Sequence, residues 1–191
     1  NPRWVLKNAR HTSTTNRFFS NISFNYDLTD WFKLSYRLGL DTYSDKQTLW
    51  VNKGSVGYPS NAIAFSTGLY RSVDITNTIL DHSVIATIQK KLNADLDLTA
   101  IVGFNARTDS YEQSGLESSG QVVYGLIEHR NFANTQPRDF RNNQINGLPG
   151  ATSNLNKRQS QTWVGAYFDA GLGYKNYLYL NVTGRNDWVS T

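Results

Sequence analysis

The sequence predicts an all-β fold, an antiparallel up-and-down meander in which each strand pairs with the next along the chain. Apolar and polar residues alternate over about six stretches, short and long connections alternate between those stretches, and aromatic residues gather near the stretch ends. Alternation with a period of two residues places one set of side chains on each face of a strand. The stretches are 17–26, 31–43, 84–92, 96–109, 159–174 and 177–191.

The first three strands carry most of their apolar residues on one face. In the first two strands the apolar face consists of Phe18, Ile22, Phe24 and Tyr26, and of Phe32, Leu34, Tyr36, Leu38 and Leu40. The opposite face is polar, with Asn21, Ser23, Asn25, Lys33, Ser35, Arg37 and Asp41. The third strand is less regular, because Ile85 interrupts its polar face. Its apolar side chains are Val84, Ala86 and Ile88.

The last three strands repeat this pattern. Their apolar faces consist of Leu96, Leu98, Ala100, Val102, Phe104 and Ala106, then Val164, Ala166, Phe168, Ala170 and Leu172, and finally Leu178, Leu180 and Val182. The polar face of the fourth strand contains Asp97, Thr99, Asn105 and Arg107. Most stretches reach the length of about ten residues that a tilted membrane-crossing strand needs.

The connections between these strands alternate between short and long. Asp27–Asp30, Asn93–Asp95 and Lys175–Asn176 are minimal turns that contain turn-forming residues. Long polar segments, near 44–78 and 110–158, separate these hairpins. This order is typical of a meander whose turns lie at one rim and whose loops lie at the other. Long structureless loops are uncommon in compact soluble domains but usual at the outer rim of outer-membrane barrels.

Two environments can accommodate the apolar faces. One is the core of a soluble antiparallel sandwich, in which the same alternation arises from one buried and one hydrated face. The other is lipid. Aromatic residues at the strand ends favour lipid, because tyrosine and tryptophan gather at both interfaces of a bilayer. These residues are Phe18, Phe19, Tyr26, Trp31, Phe32, Tyr43, Tyr174, Tyr177, Tyr179 and Trp188.

Composition excludes several classes of protein. The chain has 191 residues, a formal net charge of +4 and no cysteine. Without cysteine it has neither a disulfide scaffold nor a thiolate metal site. Its basic residues are spread along the chain rather than clustered, which argues against a nucleic-acid partner. No segment has the run of about 18 apolar residues that forms a transmembrane helix, a run that membrane-crossing strands do not need.

We expect the chain to be part of a longer protein. No initiator methionine and no apolar signal segment precede Asn1. About six strands are also too few to close around a lumen. An open sheet edge in lipid would leave backbone groups unpaired, at a cost of several kcal/mol each.

No combination of residues indicates catalysis or a cofactor. Asp81, His82 and Ser83 are the residue types of a hydrolase triad, but consecutive strand residues point to opposite faces and cannot converge. The other histidines, His11 and His129, are not spaced as metal ligands. We therefore predict a protein that is not an enzyme, has no metal site and needs no cofactor.

The long loops are the predicted binding region. Several aromatic residues lie there in polar surroundings, where a ring can stack on a sugar or pack on a peptide side chain. These candidate substrate-binding residues are Trp50, Tyr58, Phe65, Tyr70, Tyr111 and Tyr124. The alternative role is packing of the loops against each other or against a partner. Asp41 and Asp45 suit either a calcium site at the rim or, more simply, a solvated strand end.

Three motifs resemble those of a known family. Asn1–Trp4, followed by Asn8 and by Asn16–Phe18, resembles a pattern "NPYW…N…RF". "TDWFKLSYRLGLDTYSD", Thr29–Asp45, is similar to "TDWL…GRVGxDxYSD", and "YLYLNVTGRNDWVST", Tyr177–Thr191, is similar to "YLFLNxTGRNDWSST". In this order the motifs resemble the SusC/RagA family of TonB-linked outer-membrane proteins of Bacteroidetes.

The resemblance implies an internal segment of a barrel of about 22 strands, in which 1–191 form one partial barrel domain without the plug. It further implies TonB-dependent import of an oligosaccharide or peptide across the Gram-negative outer membrane. The implied partners are a SusD-like surface lipoprotein, outer-membrane lipid, the glycan or peptide substrate, and a TonB complex acting through the plug. Arg3 and Val189 depart from the family pattern. The alternative is a soluble carbohydrate-binding β-sandwich that uses the loop aromatics.

Overall fold

A computed structural model describes residues 2–54, 66–137, 154–175 and 177–190 of the chain. Its strands are β1 (Ala9–Thr29), β2 (Phe32–Val51), β3 (Leu69–Lys91), β4 (Leu96–Gln121), β5 (Phe132–Gln136), β6 (Lys157–Tyr174) and β7 (Leu178–Ser190). A short helix, α1 (Pro2–Asn8), precedes β1, and one turn of 3-10 helix occupies His129–Asn131. Within the described ranges, no helix has the length and hydropathy required to cross a membrane.

The strands form one sheet of seven strands in the order β1-β2-β3-β4-β6-β7, and β5 pairs with β4 outside this path. Each long strand therefore lies beside its neighbours in the sequence. The predicted fold class, an antiparallel up-and-down meander, is confirmed. The short strand β5 was not predicted, because its five residues "FANTQ" are too few to show a periodic pattern.

The strands extend further than the sequence patterns predict. β2 continues to Val51 and β3 begins at Leu69, within the predicted loop 44–78. β4 continues to Gln121 and β6 begins at Lys157, within the predicted loop 110–158. The difference arises because backbone pairing continues into segments that are rich in polar side chains, where apolar alternation is weak.

Two compact units can be distinguished along the chain. Unit 1 comprises Asn1–Arg17, Tyr43–Asn77 and Tyr111–Gln159, and unit 2 comprises Phe18–Thr42, Thr78–Ser110 and Ser160–Thr191. Unit 1 contains α1, the 3-10 helix and β5, whereas unit 2 contains the three short turns between consecutive long strands.

Unit 2 exposes the apolar faces of its strands. Phe24 is 62% exposed, Val102 is 54% exposed and Leu180 is 62% exposed. The same holds for Phe18, Ile22, Phe104, Phe168, Leu172, Leu178 and Val182. Among the described residues of unit 2, no large apolar side chain is buried. A soluble sandwich would bury this face, whereas a lipid-facing sheet leaves it uncovered by protein.

The hairpin of β6 and β7 shows how its two faces differ. Leu172 lies opposite Leu180 on one face, and Asp169 lies opposite Thr183 on the other. Tyr174, the last residue of β6, pairs with Leu178, the first residue of β7. Even-numbered residues of both strands therefore form the mainly apolar face, and odd-numbered residues form the mainly polar face.

Unit 1 has a small apolar core. Val51 and Leu69 are 6% and 0% exposed, and the partly buried side chains of Trp4, Ala9 and Leu49 pack against them. This contact places α1 against the end of β2 and the start of β3.

Candidate functional site

A groove lies on the polar face of unit 2, along β4, β6 and β7. Its volume is about 440 Å³, which falls within the usual range for sites that bind small ligands. Odd-numbered residues of the three strands supply its polar and aromatic side chains, since alternate residues of a strand point to the same face. These side chains belong to Asn105, Arg107, Trp163, Arg185 and Asp187.

Two arginines of the groove lie over aromatic rings of β6. The guanidinium carbon of Arg107 is 5.7 Å from the centroid of the Trp163 ring, and that of Arg185 is 6.0 Å from the Tyr167 ring. Arg185 Nε also donates to both carboxylate oxygens of Asp187, at 3.0 and 2.8 Å. Cation–π contacts and ion pairing thus restrict the positions of both guanidinium groups.

Gly165 provides space at the centre of the groove. It lies between Trp163 and Tyr167 on the same face of β6, and Asp187 Oδ1 occupies the space that a side chain at residue 165 would need. In the same way, the Tyr167 ring covers Gly103 of β4. A larger residue at position 165 would displace the Asp187 carboxylate, because that carboxylate lies directly against the backbone.

Asn105 connects the groove to β3. Its amide nitrogen lies 3.1 Å from Asp81 Oδ1, 3.0 Å from Ser83 Oγ and 3.1 Å from the His82 carbonyl oxygen. The His82 ring instead contacts Tyr36, with 2.8 Å between His82 Nδ1 and Tyr36 Oη. Asp81, His82 and Ser83 do not converge as a triad, in agreement with the alternation of strand side chains.

The four predicted loop aromatics that the structure describes belong to unit 1. Tyr58 and Phe65 lie outside the described residues. Trp50, Tyr70 and Tyr111 lie in β2, β3 and β4, and Tyr124 follows β4. The candidates are therefore distributed over several strands and one connection, and Tyr124 is the most exposed of those described, at 54%.

Tyr70 and Tyr111 contact other residues of unit 1. The Tyr70 ring centroid is 4.4 Å from that of His129 and 6.3 Å from that of Phe132. Tyr111 Oη donates to Gln113 Oε1 at 2.6 Å. These contacts agree with the packing role that the sequence also allows. A role in ligand binding stays a prediction for both residues.

Tyr124 is held by a buried network of amide side chains. Its hydroxyl donates to Asn8 Oδ1, which also accepts from Asn52 Nδ2 at 3.1 Å. Asn52 Oδ1 accepts from Gln121 Nε2 at 2.9 Å. The three amide residues are between 5% and 9% exposed, and buried polar groups are stable when they bond to one another. The network links the end of α1 to the ends of β2 and β4.

His129 lies between two serine hydroxyl groups of unit 1. Its Nε2 lies 2.8 Å from Ser72 Oγ and its Nδ1 lies 2.7 Å from Ser118 Oγ. Ser118 Oγ is also 2.6 Å from Thr135 Oγ1. The residue belongs to the 3-10 helix and not to a long strand. Burial lowers the pKa of His129 from its usual value of 6.5, since desolvation disfavours the charged ring.

We expect unit 1 to lose stability as the pH falls from about 7.5 to about 5.5. The unfolded chain binds a proton at His129 near pH 6.5 and the folded chain only at a lower pH. The unfolded state therefore holds more protons between these two pKa values, and acid favours it there. Hydrogen exchange of residues 129–136, corrected for intrinsic rates, should report faster opening at the lower pH. His129→Gln should remove most of this dependence; an unchanged pH dependence in the variant would contradict the assignment.

A buried ion pair joins β3 to β4 in unit 1. Arg71 Nε lies 2.5 Å from Glu117 Oε2, and the two side chains are 15% and 0% exposed. A carboxylate that is removed from water is stable only when it is paired and hydrogen-bonded. The pair was not predicted, because its members are 46 residues apart in the sequence.

The described residues do not assemble a metal site. In the part of the chain that the structure describes, no three histidine, aspartate or glutamate residues are grouped to hold an ion. Asp45, one of the two aspartates considered for calcium, instead accepts hydrogen bonds from Ser13 at 2.6 Å, Thr15 at 3.1 Å and Gln47 at 2.6 Å.

The groove residues could be predicted from the sequence only in part. The alternation places Arg107 on a polar face, but it does not say which residues of other strands lie beside it. Three other groove residues also have odd numbers: Trp163, Arg185 and Asp187. They could have been found once the strand order and the β6–β7 register were known. The composition of the long loops instead predicts aromatic residues as the binding residues.

In fold the chain is similar to segments of solved β-barrel structures. It is similar to a structure of the RagAB peptide transporter, with a TM-score of 0.76 and 14% identity, covering 98% of this chain and 19% of that chain. Structures of the RagAB peptide importer in the closed-closed and open-open states give TM-scores of 0.75 and 0.68 at 14% and 15% identity. They cover 96% and 99% of this chain.

The chain spans 18% of the length of the matched chain in the closed-closed structure and 19% in the open-open structure. No protein-family model matches the sequence, and no curated protein matches it.

Proposed function

We propose that this chain is part of the wall of an outer-membrane transporter of the SusC/RagA family, which imports an oligosaccharide or a peptide. One observation carries this proposal: the long strands of unit 2 expose a continuous apolar face, while their opposite face holds charged and polar side chains. The three sequence motifs and the likeness to the RagAB structures support the same assignment.

The two faces fit the two solvents of a barrel wall. An apolar band faces acyl chains, because lipid offers no partners to polar groups. Arginine, aspartate and asparagine on the other face can line a water-filled lumen through which a polar substrate passes. Paired strands satisfy the backbone hydrogen bonds within the membrane, and further strands of the parent protein would pair with the outer edges of β1 and β7.

The parent protein would work with partners. In this proposal a SusD-like surface lipoprotein covers the barrel from outside, and the TonB complex acts on a plug elsewhere in the parent protein to drive release of the substrate. Loop aromatics, including Trp50, Tyr70, Tyr111 and Tyr124, would contact substrate or lipoprotein. The likeness to RagAB favours a peptide over an oligosaccharide, since those structures are of a peptide transporter.

A soluble carbohydrate-binding sandwich is less well supported. It needs a second sheet over the apolar face of the first, but all described strands belong to one sheet. The large apolar side chains of unit 2 are also exposed rather than buried.

Cell fractionation and uptake test the proposal. We expect the full-length protein to remain with outer membranes after an alkaline wash and to be extracted only by detergent. Deleting its gene should reduce growth on a casein peptide digest or on a mixed oligosaccharide preparation, and depleting TonB should have the same effect. Recovery of the protein in the aqueous fraction, or unchanged growth on every nutrient tested, would contradict the proposal.

A further inference from the structure

The groove on the polar face of unit 2 is lined by more guanidinium groups than carboxylates. Its side chains include the guanidinium groups of Arg107 and Arg185 but only one carboxylate, that of Asp187. Arg185 is engaged by Asp187 through two contacts of 3.0 and 2.8 Å. Arg107 is held less closely, through a longer ion pair with Asp109.

Arg107 is well placed to donate to an anionic ligand. Its Nη2 lies 4.0 Å from Asp109 Oδ2, which is longer than a hydrogen bond. Its side chain is 46% exposed, and its guanidinium carbon lies 5.7 Å from the centroid of the Trp163 ring. The Trp163 contact limits the motion of Arg107, so that less conformational freedom is lost when a ligand binds. A guanidinium offers parallel N–H donors that match the two oxygens of a carboxylate.

Acceptors lie in the same groove. The Asn105 amide nitrogen is directed at Asp81, Ser83 and the His82 carbonyl, which leaves the amide oxygen as the other polar atom of this side chain. The Asp187 carboxylate lies over Gly165. A carboxylate ligand that also carries N–H or O–H groups can therefore be held at both ends.

We infer that this groove binds the carboxylate group of the transported substrate, with Arg107 as the residue that selects for it. The inference rests on the proposed function, because it requires the polar face to line the transport path. The free carboxyl terminus of a short peptide and the carboxylate of an acidic sugar share this chemistry. In either case, Arg107 donates to the carboxylate, and Asp187 or Asn105 accepts from the neighbouring N–H or O–H group.

Binding to the full-length protein in detergent tests the inference. The probes are trialanine with a free carboxyl terminus, trialanine amide, and digalacturonate, each measured by isothermal titration. We expect at least one acid to bind about tenfold or more weakly to Arg107→Gln than to the wild-type protein, as loss of a charged hydrogen-bond donor predicts. If the carboxyl terminus of a peptide is the ligand, trialanine amide should bind more weakly than trialanine to the wild-type protein, and Arg107→Gln should reduce that difference.

Two further variants control the test. Arg158→Gln removes a charge at an arginine that does not line the groove and is paired with Glu112, so it should leave the affinities unchanged. Arg107→Lys keeps the charge but not the paired donors, and should give an intermediate loss even if Arg107→Gln does not fold. If only the affinity for digalacturonate depends on Arg107, the carboxylate that the groove binds is that of an acidic sugar.

If each acid binds the Arg107 variants as tightly as the wild-type protein, the inference is overturned. That result would leave the proposed transport function intact, since uptake and membrane location are measured separately. The opposite outcome is also distinguishable. If the variants lose acid binding but gene deletion leaves uptake unchanged, the binding site is supported and the transport function is contradicted.

Discussion

Glu117→Gln should destabilise unit 1 by about 3–5 kcal/mol, because it removes one partner of a buried ion pair and leaves the other charged. Glu117 is 0% exposed, and its carboxylate lies 2.5 Å from Arg71 Nε. Glutamine keeps the shape of the side chain but not its charge. The expected result is faster hydrogen exchange in β3 and β4 on both sides of the pair, measured on the full-length protein.

Two comparisons separate charge from shape. Glu112→Gln makes the same change in β4 at an exposed pair, in which Arg158 Nη2 lies 2.6 Å from Glu112 Oε1. Exposed pairs contribute only about 0–1 kcal/mol, so exchange should hardly change there. Adding Arg71→Met to Glu117→Gln removes the remaining charge of the pair and should restore part of the protection. Equal effects of Glu117→Gln and Glu112→Gln would show that burial does not determine the strength of the pair.

The fold was largely predictable because strand alternation is a local property. The apolar residues Phe32, Leu34, Tyr36 and Leu38 identify a strand without any knowledge of its neighbours. The ends of strands were not predictable in the same way. In Tyr111–Gln121 backbone pairing continues while most side chains are polar or small, so that the alternation no longer distinguishes strand from loop.

The turn that the sequence predicts between β6 and β7 is one residue too short, although the apolar alternation of the two strands indicates the correct length. A two-residue turn at Lys175–Asn176 would pair Tyr174 with Tyr177 and set even residues opposite odd ones. The structure instead pairs Tyr174 with Leu178 across 175–177. Since the apolar residues of both strands have even numbers, only an odd number of turn residues brings them to one face.

The contacts within unit 1 could not be predicted from local patterns. Tyr124 bonds to Asn8 across 116 residues of sequence, and His129 bonds to Ser72 across 57. Asparagine, serine and histidine in a polar segment give no sign of burial, because the same residues are common in hydrated loops. The aromatic residues were recognisable as candidates, but whether a ring packs or stays open to a ligand depends on such distant partners.

Val182→Arg should prevent assembly of the full-length protein in the outer membrane, whereas Thr183→Arg should be tolerated. The two residues are neighbours in β7 and point to opposite faces. Val182 belongs to the apolar face and is 50% exposed, so an arginine there would meet lipid. Arginine on the lipid face costs about 2–4 kcal/mol at the bilayer midplane and less near the interfaces.

Thr183 is the matched control for this test, since the substitution and the strand are the same. It lies opposite Asp169 on the polar face, where an arginine can remain hydrated and pair with that carboxylate. The measurement is the fraction of protein that resists unfolding by detergent at room temperature but not after boiling. If both variants assemble equally, or if only Val182→Arg assembles, the apolar face does not contact lipid. Because both changes add the same charge to the same strand, a difference between their outcomes reports the different surroundings of the two faces.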